Sequence, residues 1–392
     1  MTPLTRALTW STAAVSLAKG VLFSVSALFF TTVIGLSPAT VGLGLTVAGG
    51  AGMAAAFGAG YLSDQIGARR VLLAATLVEG AALVAYCSAR TPIAFVLIAC
   101  AAVGAQGAHR TAQVTLVARH VTGDGRVRTR ARLRVVNNVF VGLGSAASAV
   151  ALTIGTATAY LTAMILAALF VFLSAIPLRS LAEPVAAVVR TGTAGRSPLT
   201  DRRYLAVAAL NGVITMQFGL LTVGMPLWVT LHTEAPAAIV ALLLVLNTAI
   251  VALGQVAAAR RVTDVPAAGR AVLGATLLLL LACLLYAAAS AGGPVVAAAV
   301  LVLAVLAHSG GEIISEAGGW ELSFELADAR NAGAYQGVSQ TGFAVGGMLA
   351  PAVVTATAIS HGLPGWLLLG GLFVTAGAGT RAVSRRSLVK VG

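Results

Sequence analysis

Three titratable side chains recur at helical spacing within one apolar stretch of the chain. His308, Glu312 and Glu316 stand at positions i, i+4 and i+8, which places them on one face of a helix. Burial and mutual charge bring such groups toward titration near neutral pH, so the pattern predicts a proton relay centred on Glu312 and His308. The alternative is that the helix ends here and that these acids begin a solvated acidic loop, continued by Glu321, Glu325 and Asp328.

Ionisable residues inside other apolar runs are further candidates, since charges at membrane depth are rare and usually functional. Lys19 lies about twelve residues into the first run, and either faces a central cavity or extends its ammonium group to the membrane surface. Glu79, near the middle of the third run, either carries protons or lies at the periphery. Arg110, next to His109, either binds an anionic group of a substrate or pairs with an acid on another helix.

Neutral polar residues complete the predicted substrate and proton pathway. An amide inside a membrane either hydrogen-bonds a substrate or bridges two helices. The amides in question are Gln106, Asn138, Asn211, Gln217 and Asn247. The chain has no phosphate-binding loop and no Cys/His cluster with metal-ligand spacing, and no catalytic triad can be argued from it. We therefore expect no enzymatic activity, no metal and no cofactor, with the proton gradient as the energy source.

The elements that must position these residues are long apolar runs. Hydrophobic residues make up 58% of the 392 residues and charged residues 9%, whereas a soluble domain carries about 25% charged residues. A helix of about 20 apolar residues crosses a bilayer. The runs therefore predict an all-α integral membrane protein with about twelve spans, at approximately 8–34, 38–62, 70–89, 92–118, 132–155, 158–178, 204–230, 236–258, 269–290, 293–316, 331–356 and 362–382.

The distribution of arginine gives the orientation. Lys and Arg collect on the cytoplasmic side of membrane proteins, and here one alternating set of turns carries nearly all of them while the opposite set holds only Arg90. The formal net charge of +13 then reflects insertion and contact with anionic lipid, and not a nucleic-acid partner. We expect a multi-pass protein of the plasma membrane with both termini in the cytoplasm.

The chain divides near its middle. Prolines, glycine and arginines at 181–203 predict a cytoplasmic linker between two six-helix halves, residues 1–180 and 204–392. A faint repeat supports two related halves, because Lys19-Gly20-Val in the first predicted helix matches Asn211-Gly212-Val in the seventh.

One short segment points to a family. The turn Gly60-Tyr-Leu-Ser-Asp64-Gln-Ile-Gly67-Ala-Arg69-Arg70, between the second and third runs, resembles the loop signature of the major facilitator superfamily. The resemblance implies two pseudo-symmetric six-helix bundles and secondary active transport by alternating access. It also implies a cytoplasmic gate in which the acid at position 64 caps or pairs with neighbouring helix ends. Within the superfamily the chain looks most like bacterial twelve-helix efflux transporters of actinobacterial type.

The chain departs from that family pattern at several positions. Gln65 and Ala68 stand where the family usually has basic residues, and Val103 stands where an arginine precedes Gln106-Gly107. The fifth predicted helix lacks the Gly-Pro pair associated with drug/proton antiporters. These departures leave antiport as one hypothesis among several.

The functional prediction is proton-coupled export of a small organic molecule, either a drug or a natural product, by a monomeric transporter. One alternative is proton-coupled uptake of a small metabolite. A second alternative is a non-transporting membrane sensor or assembly partner with the same fold. The expected partners are the substrate, protons and the lipid bilayer.

Overall fold

A computed structural model describes residues 2–181 and 195–385. Most of the predicted linker, at 182–194, and the last residues, 386–392, lie outside that range. The described residues form helices joined by short turns and contain no strand. The predicted all-α architecture is therefore confirmed.

Twelve long helical segments follow one another in residues 2–181 and 195–385. They are α1 (Pro3–Leu28), α2 (Pro38–Ile66), α3 (Ala68–Tyr86), α4 (Pro92–His120), α5 (Gly125–Ile154), α6 (Ala157–Ser174), α7 (Arg202–His232, with a π-helical turn at Leu220–Gly224), α8 (Ile239–Ala259), α9 (Val265–Ala288), α10 (Pro294–Glu325), α11 (Ala332–Val354) and α12 (Ser360–Arg385). By length and composition, nine stretches of the described residues could each cross a membrane, and one of these, Ala329–Arg385, contains both α11 and α12.

Local sequence sets the start of several helices. A Ser, Thr or Asp side chain accepts a hydrogen bond from a first-turn N–H group, and a proline often follows within two positions. The proline has no N–H group to leave unsatisfied, so the pair defines the first turn. The N-caps of this kind are Thr2, Ser37, Thr91, Thr156 and Asp264.

The described residues fall into two compact units. One comprises Met1–Val121, Arg132–Ser197 and Asp328–Thr341, and the other comprises Thr122–Ala131, Pro198–Ala327 and Gly342–Gly392. We call them the N-terminal unit and the C-terminal unit after the part of the chain that each mostly contains.

Glycines bring two helices together inside each unit. In the N-terminal unit, a Cβ atom at Gly20 of α1 would overlap the backbone of α5 and lie 2.9 Å from Gly144 Cα. In the C-terminal unit, a Cβ atom at Gly212 of α7 would lie 2.7 Å from the carbonyl oxygen of Gly342, and one at Gly346 would overlap the carbonyl oxygen of Gly212. Since helices in lipid associate by close packing, the repeated glycine marks an equivalent crossing in both halves.

Each unit has an aromatic cluster in its core. In the N-terminal unit, the rings of Phe30 and Phe95 lie 4.6 Å apart between centroids. In the C-terminal unit, Tyr286 and Trp366 stack at 5.3 Å, and Trp228 meets Trp366 edge to face at 5.4 Å. These pairs pack helices together and also limit where a cavity can lie.

The acidic segment after Glu312 is helical, so the expectation of a solvated acidic loop is wrong. Helix α10 continues to Glu325, whereas the sequence predicted its end near residue 316. Glu316 is 8% exposed and Glu321 is 5% exposed. The helix continues because its last turns bury Trp320, whose ring the guanidinium of Arg130 covers at 5.2 Å. Helix α5 likewise begins earlier than predicted, at Gly125, because its arginines are good helix formers that a hydropathy window excludes.

Candidate functional site

The side chain of Asp64, near the end of α2, caps the first turn of α11. Its Oδ1 accepts the backbone N–H of Gly333 at 2.8 Å, and its Oδ2 accepts that of Ala334 at 2.7 Å. Arg119 of α4 donates to Asp64 Oδ1 at 2.5 Å and to the carbonyl oxygen of Ser63 at 3.1 Å. The first N–H groups of a helix lack intrahelical acceptors and lie at the positive end of its dipole, so a carboxylate stabilises them. One side chain thereby fastens α2 and α4 to the start of α11.

Two glycines of the same turn permit this geometry. A Cβ atom at Gly60 would overlap the carbonyl oxygen of Gly333 and lie 2.9 Å from Gly337 Cα, so α2 and α11 touch through their backbones. Gly67 has φ 97°, a conformation that favours glycine, and it is the one residue between α2 and α3.

The two arginines that follow have different surroundings. Arg69 Nε donates to the carbonyl oxygen of Leu178 at 3.0 Å, and its Nη2 donates to that of Arg179. A cation at the last carbonyl groups of the short helix Ile176–Arg179 is favourable, because that end of a helix is negative. Arg70 is exposed.

A polar cluster lies in the middle of the N-terminal unit, on α1, α3 and α4. Glu79 is 1% exposed, and the side chain of Gln106 on α4 is among the polar groups that act on its carboxyl group. The charge of Lys19 acts on Glu79, and that of Arg110 acts on Lys19. His109 is buried, with its Nδ1 3.1 Å from the hydroxyl oxygen of Thr76. The structure thus brings four of the predicted residues into one network.

A cavity of about 290 Å³ adjoins this cluster. Lys19 and Gln106 line its polar end, and the remainder is lined by aromatic and aliphatic side chains and by Ser26. All of the lining residues belong to the N-terminal unit. Lys19 therefore faces a cavity, which is one of the two placements expected from its position in the sequence.

Asn247 and Glu312 form the corresponding polar site in the C-terminal unit. The side-chain amide of Asn247 on α8 donates to Glu312 Oε2 at 2.9 Å and to Ser309 Oγ at 3.0 Å, both on α10. Glu312 is 4% exposed, so its carboxyl group lies in the interior. Gln217 of α7 donates to Ser315 Oγ at 3.0 Å on the same helix. Both predicted amides therefore bridge helices to α10.

His308 lies one turn before Glu312 and is fully buried. Neither of its ring nitrogens has a hydrogen-bond partner within the part of the chain that the structure describes. The hydroxyl of Tyr286 and the ring N–H of Trp366 also have no hydrogen-bond partner among the described residues. The ring centroids of Tyr286 and His308 are 6.4 Å apart. The predicted face of α10 thus holds a carboxyl group with a donor and, next to it, an imidazole in aromatic surroundings.

Two predicted amides make minor contacts. Asn138 accepts a hydrogen bond at 3.2 Å from its neighbour Asn137, which in turn accepts one from Ser16 at 3.0 Å and so links α5 to α1. Asn211 lies against Gly319 of α10, where a Cβ atom would be 2.7 Å from its side-chain oxygen. These contacts are structural links between helices.

Comparison with known proteins settles the family. A family model described as the Major Facilitator Superfamily matches residues 8–351. The chain belongs to this superfamily. Among proteins with curated functions, none matches it in sequence.

Solved structures of this superfamily and of other transporters share the fold. A crystal structure of the human organic anion transporter MFSD10 (TETRAN) superposes with a TM-score of 0.72 at 16% identity, over 96% of this chain and 99% of that one. The transporter FucP in its outward conformation gives 0.73 at 13% identity, over 97% and 98%. A bacterial homologue of the iron transporter ferroportin, outward-facing and soaked with iron, gives 0.73 at 13% identity, over 98% and 99%. At these identities the likeness shows the fold alone.

Membership confirms the predicted major-facilitator fold of a multi-pass membrane protein. Within the described residues, no three His, Cys, Asp or Glu side chains come close enough together to hold a metal ion. The buried polar side chains described above tie helices together through hydrogen bonds.

Sequence reasoning missed several residues of these sites. Arg119 appeared only as one of many cytoplasmic arginines, although it is the partner of Asp64. Ser309 and Ser315 are small polar residues that an apolar helix accommodates anywhere, and only their partners on α7 and α8 distinguish them. Gln255 is fully buried and donates to the carbonyl oxygen of Ile313 at 3.2 Å. For Gln255 a signal did exist, since it is an amide inside an apolar run.

Proposed function

We propose that this protein is a secondary active transporter that exports a small organic molecule in exchange for protons, by alternating access. The observation that carries the proposal is the buried carboxyl group of Glu312 with the amide of Asn247 as its donor. A carboxyl group at membrane depth changes its charge when it binds or releases a proton. The Asn247 amide serves both forms, because it donates equally to a carboxylate and to the carbonyl oxygen of the protonated acid.

Protonation at such a site couples to conformation through electrostatic energy. A charge in a membrane interior costs several kcal/mol unless it is compensated, so the neutral and ionised forms of Glu312 favour different arrangements of α8 and α10. Each charge that crosses a membrane potential of about 100 mV contributes about 2.3 kcal/mol. This energy is sufficient to drive export against a concentration gradient of several tens-fold, since about 1.4 kcal/mol corresponds to a factor of ten.

Asp64 supplies the second element of the proposal. Because its carboxylate binds the first N–H groups of α11 and the guanidinium of Arg119, it holds one arrangement of these helices closed at their cytoplasmic ends. Loss of those bonds would release α11. We propose that this contact is the cytoplasmic gate.

A second candidate function is proton-coupled uptake of a small metabolite. It is favoured by Lys19 and Glu79, because Lys19 lines the cavity and its charge acts on the buried acid Glu79. Such a pair allows a proton and an anion to bind together and therefore to move in the same direction.

The test uses purified protein in sealed vesicles of known orientation, with a pH-sensitive dye in the lumen and an imposed substrate gradient. Export by antiport moves protons opposite to the substrate, whereas symport moves them with it. Substrate flux without proton movement contradicts both, and the absence of any flux over a broad solute panel favours a non-transporting role.

Two variants localise the proton site. Glu312→Gln should abolish substrate-driven proton flux while leaving the folded protein intact. Glu234→Gln removes a carboxylate from an exposed position and should leave the flux unchanged. Normal proton flux in Glu312→Gln would exclude Glu312 from coupling.

A further inference from the structure

The cavity in the N-terminal unit joins a charged end to an aromatic end. Lys19 and Gln106 line the first, and Phe30, Tyr86 and Phe95 line the second. Its volume of about 290 Å³ is roughly that of ten water molecules in the liquid. Lys19 and Leu28, the last residue of α1, are separated by about 14 Å along the helix, at about 1.5 Å per residue, and Phe30 follows in the π-helical turn Phe29–Val33. These dimensions suit a molecule with one polar head and an apolar body.

The aromatic end is a preformed apolar surface. The ring of Phe30 lies 4.6 Å from that of Phe95 and 5.1 Å from that of Tyr86, measured between centroids. Because the three rings come from α3, α4 and the turn after α1, their mutual packing holds them in place. Rings held in this way bind an aryl or alkyl group at little cost in conformational entropy.

Lys19 is the basic residue that lines the charged end of the cavity. Glu79 is the acid whose charge acts on Lys19, and Arg110 is a second cation whose charge acts on it. Glu79 is buried, and among the described residues its charge is favoured by Lys19 and, to a smaller extent, by the side chain of Gln106. Lys19 therefore lines the cavity and also interacts with a buried acid.

No second acid competes for this cation among the described residues of the neighbouring helices. On α4, the remaining titratable group near Lys19 is His109, which is bound to the hydroxyl of Thr76. On α2 the one acid is Asp64, which is bound to Arg119 and to α11. Helix α6, which packs against α1 and α3, contributes no acidic or basic side chain, and α5, which crosses α1 at Gly20, carries arginines but no acid. The charge on Lys19 is thus shared between Glu79 and whatever occupies the cavity.

We propose that this cavity binds an amphipathic organic anion, whose acidic group pairs with Lys19 and whose apolar body lies against Phe30, Tyr86 and Phe95. Glu79 is the counter-charge of Lys19 when no anion is bound. When the anion enters the cavity, its acidic group pairs with Lys19. Glu79 then no longer has this cation as its counter-charge, and it binds one proton. One anion and one proton thus bind together, and the net charge of the site is conserved.

This inference names a substrate class for the second candidate function, in which a proton and an anion move together, and it rests on that proposal for transport but not for binding. The experiment is therefore an equilibrium measurement on the full-length protein in lipid nanodiscs without any ion gradient. The probe is radiolabelled 4-phenylbutanoate, and the competitors are the unlabelled acid, its amide and the corresponding amine. We expect the amide and the amine to compete at least about tenfold more weakly than the acid. Equal competition by all three would overturn the assignment of an anion site.

The role of Lys19 is tested with one variant that removes its charge and one that keeps it. Lys19→Met should lose binding of the acid, whereas Lys19→Arg should retain it and so show that the site still folds. Arg132→Gln, which removes the same charge from an exposed position, should bind like the unaltered protein. Full binding by Lys19→Met contradicts the proposal.

The role of Glu79 is tested by measuring how binding of the acid depends on pH. The unaltered protein should bind the acid more tightly as the pH falls from about 8 to about 6, because protonation of Glu79 releases Lys19. Glu79→Gln should bind about tenfold more tightly at the upper pH and should lose the pH dependence. An unchanged pH dependence in Glu79→Gln would show that Glu79 is not the competing counter-charge.

The two proposals fail in different ways. If 4-phenylbutanoate binds as described but no substrate moves protons across vesicles, the anion site stands and proton-coupled transport fails. If another solute drives proton flux that depends on Glu312 while Lys19→Met changes no binding, transport stands and the anion site fails.

Discussion

The carboxylate of Asp64 accepts the backbone N–H of Gly333 at 2.8 Å, so a side chain near the end of α2 completes the first turn of α11. The two residues are far apart in sequence, and no local pattern connects them. Arg119 completes the contact from α4. The turn signature between the second and third helices therefore has a partner that only the folded chain reveals.

Asp64→Ala should lower the free energy of unfolding by about 1–3 kcal/mol, because two helix N–H groups and one guanidinium lose their acceptor. Thermal unfolding in detergent measures the effect. Arg70→Gln changes an exposed residue of the same turn and is the matched control. Equal unfolding midpoints for Asp64→Ala and the control would mean that the contact contributes nothing to stability.

Gly60→Ala should destabilise the protein by about 1–3 kcal/mol, since the added methyl group would overlap the Gly333 carbonyl oxygen. Gly58 lies two residues earlier in the same helix, and a methyl group added there would have no neighbouring atom within 4 Å. Gly58→Ala should therefore be neutral, or stabilising by up to about 1 kcal/mol from helix propensity. Unfolding midpoints of the two variants, compared directly, check the prediction, and an equal loss in both would contradict it.

Asn247→Asp should make stability depend on pH. The substitution places a second carboxyl group beside Glu312, and two adjacent carboxylates cannot both ionise without strong repulsion. The pair shares a proton at low pH, so stability is present at low pH and is lost as the pH increases and that proton leaves. Unfolding midpoints between about pH 5 and about pH 8 should fall for Asn247→Asp more steeply than for Asn247→Ser. Parallel curves for the two variants would show that the carboxyl groups do not interact.

Asp328 should remain ionised in strongly acidic solution. Hydrogen bonds from Arg330 lower the pKa of Asp328 to about 2, and the N–H of Arg196 adds another at 3.0 Å. Because the pKa is depressed in the folded protein, the contribution of Asp328 is present above its ordinary value of about 3.9 and is lost only as the pH falls toward about 2.

Hydrogen exchange measures this contribution. Asp328→Asn should speed exchange at the N–H of Arg196 and of Arg330, and the difference from the unaltered protein should be nearly the same from about pH 8 down to about pH 3. A difference that disappears within that range would contradict the low pKa.

The sequence by itself determined the membrane class, the helical architecture and the family. A run of apolar residues long enough to cross a bilayer has few possible structures in lipid other than a helix. The turn from Gly60 to Arg70 is a local sequence pattern. Both can therefore be recognised without knowledge of the tertiary structure. The repeat of Gly20 and Gly212 could also be recognised from the sequence, because close helix crossings require the smallest residue. Charge patterns were less reliable, as the buried acids at the end of α10 show.

Only the tertiary structure decided which polar residues meet. Asn247 and Glu312, Gln217 and Ser315, and Lys19 and Glu79 lie on different helices, and helical periodicity cannot align one helix with another. Their contacts depend on the rotation and depth of each helix, which the packing of many side chains sets together. For that reason the sequence could name most of the candidate residues, whereas the fold showed which of them share a site.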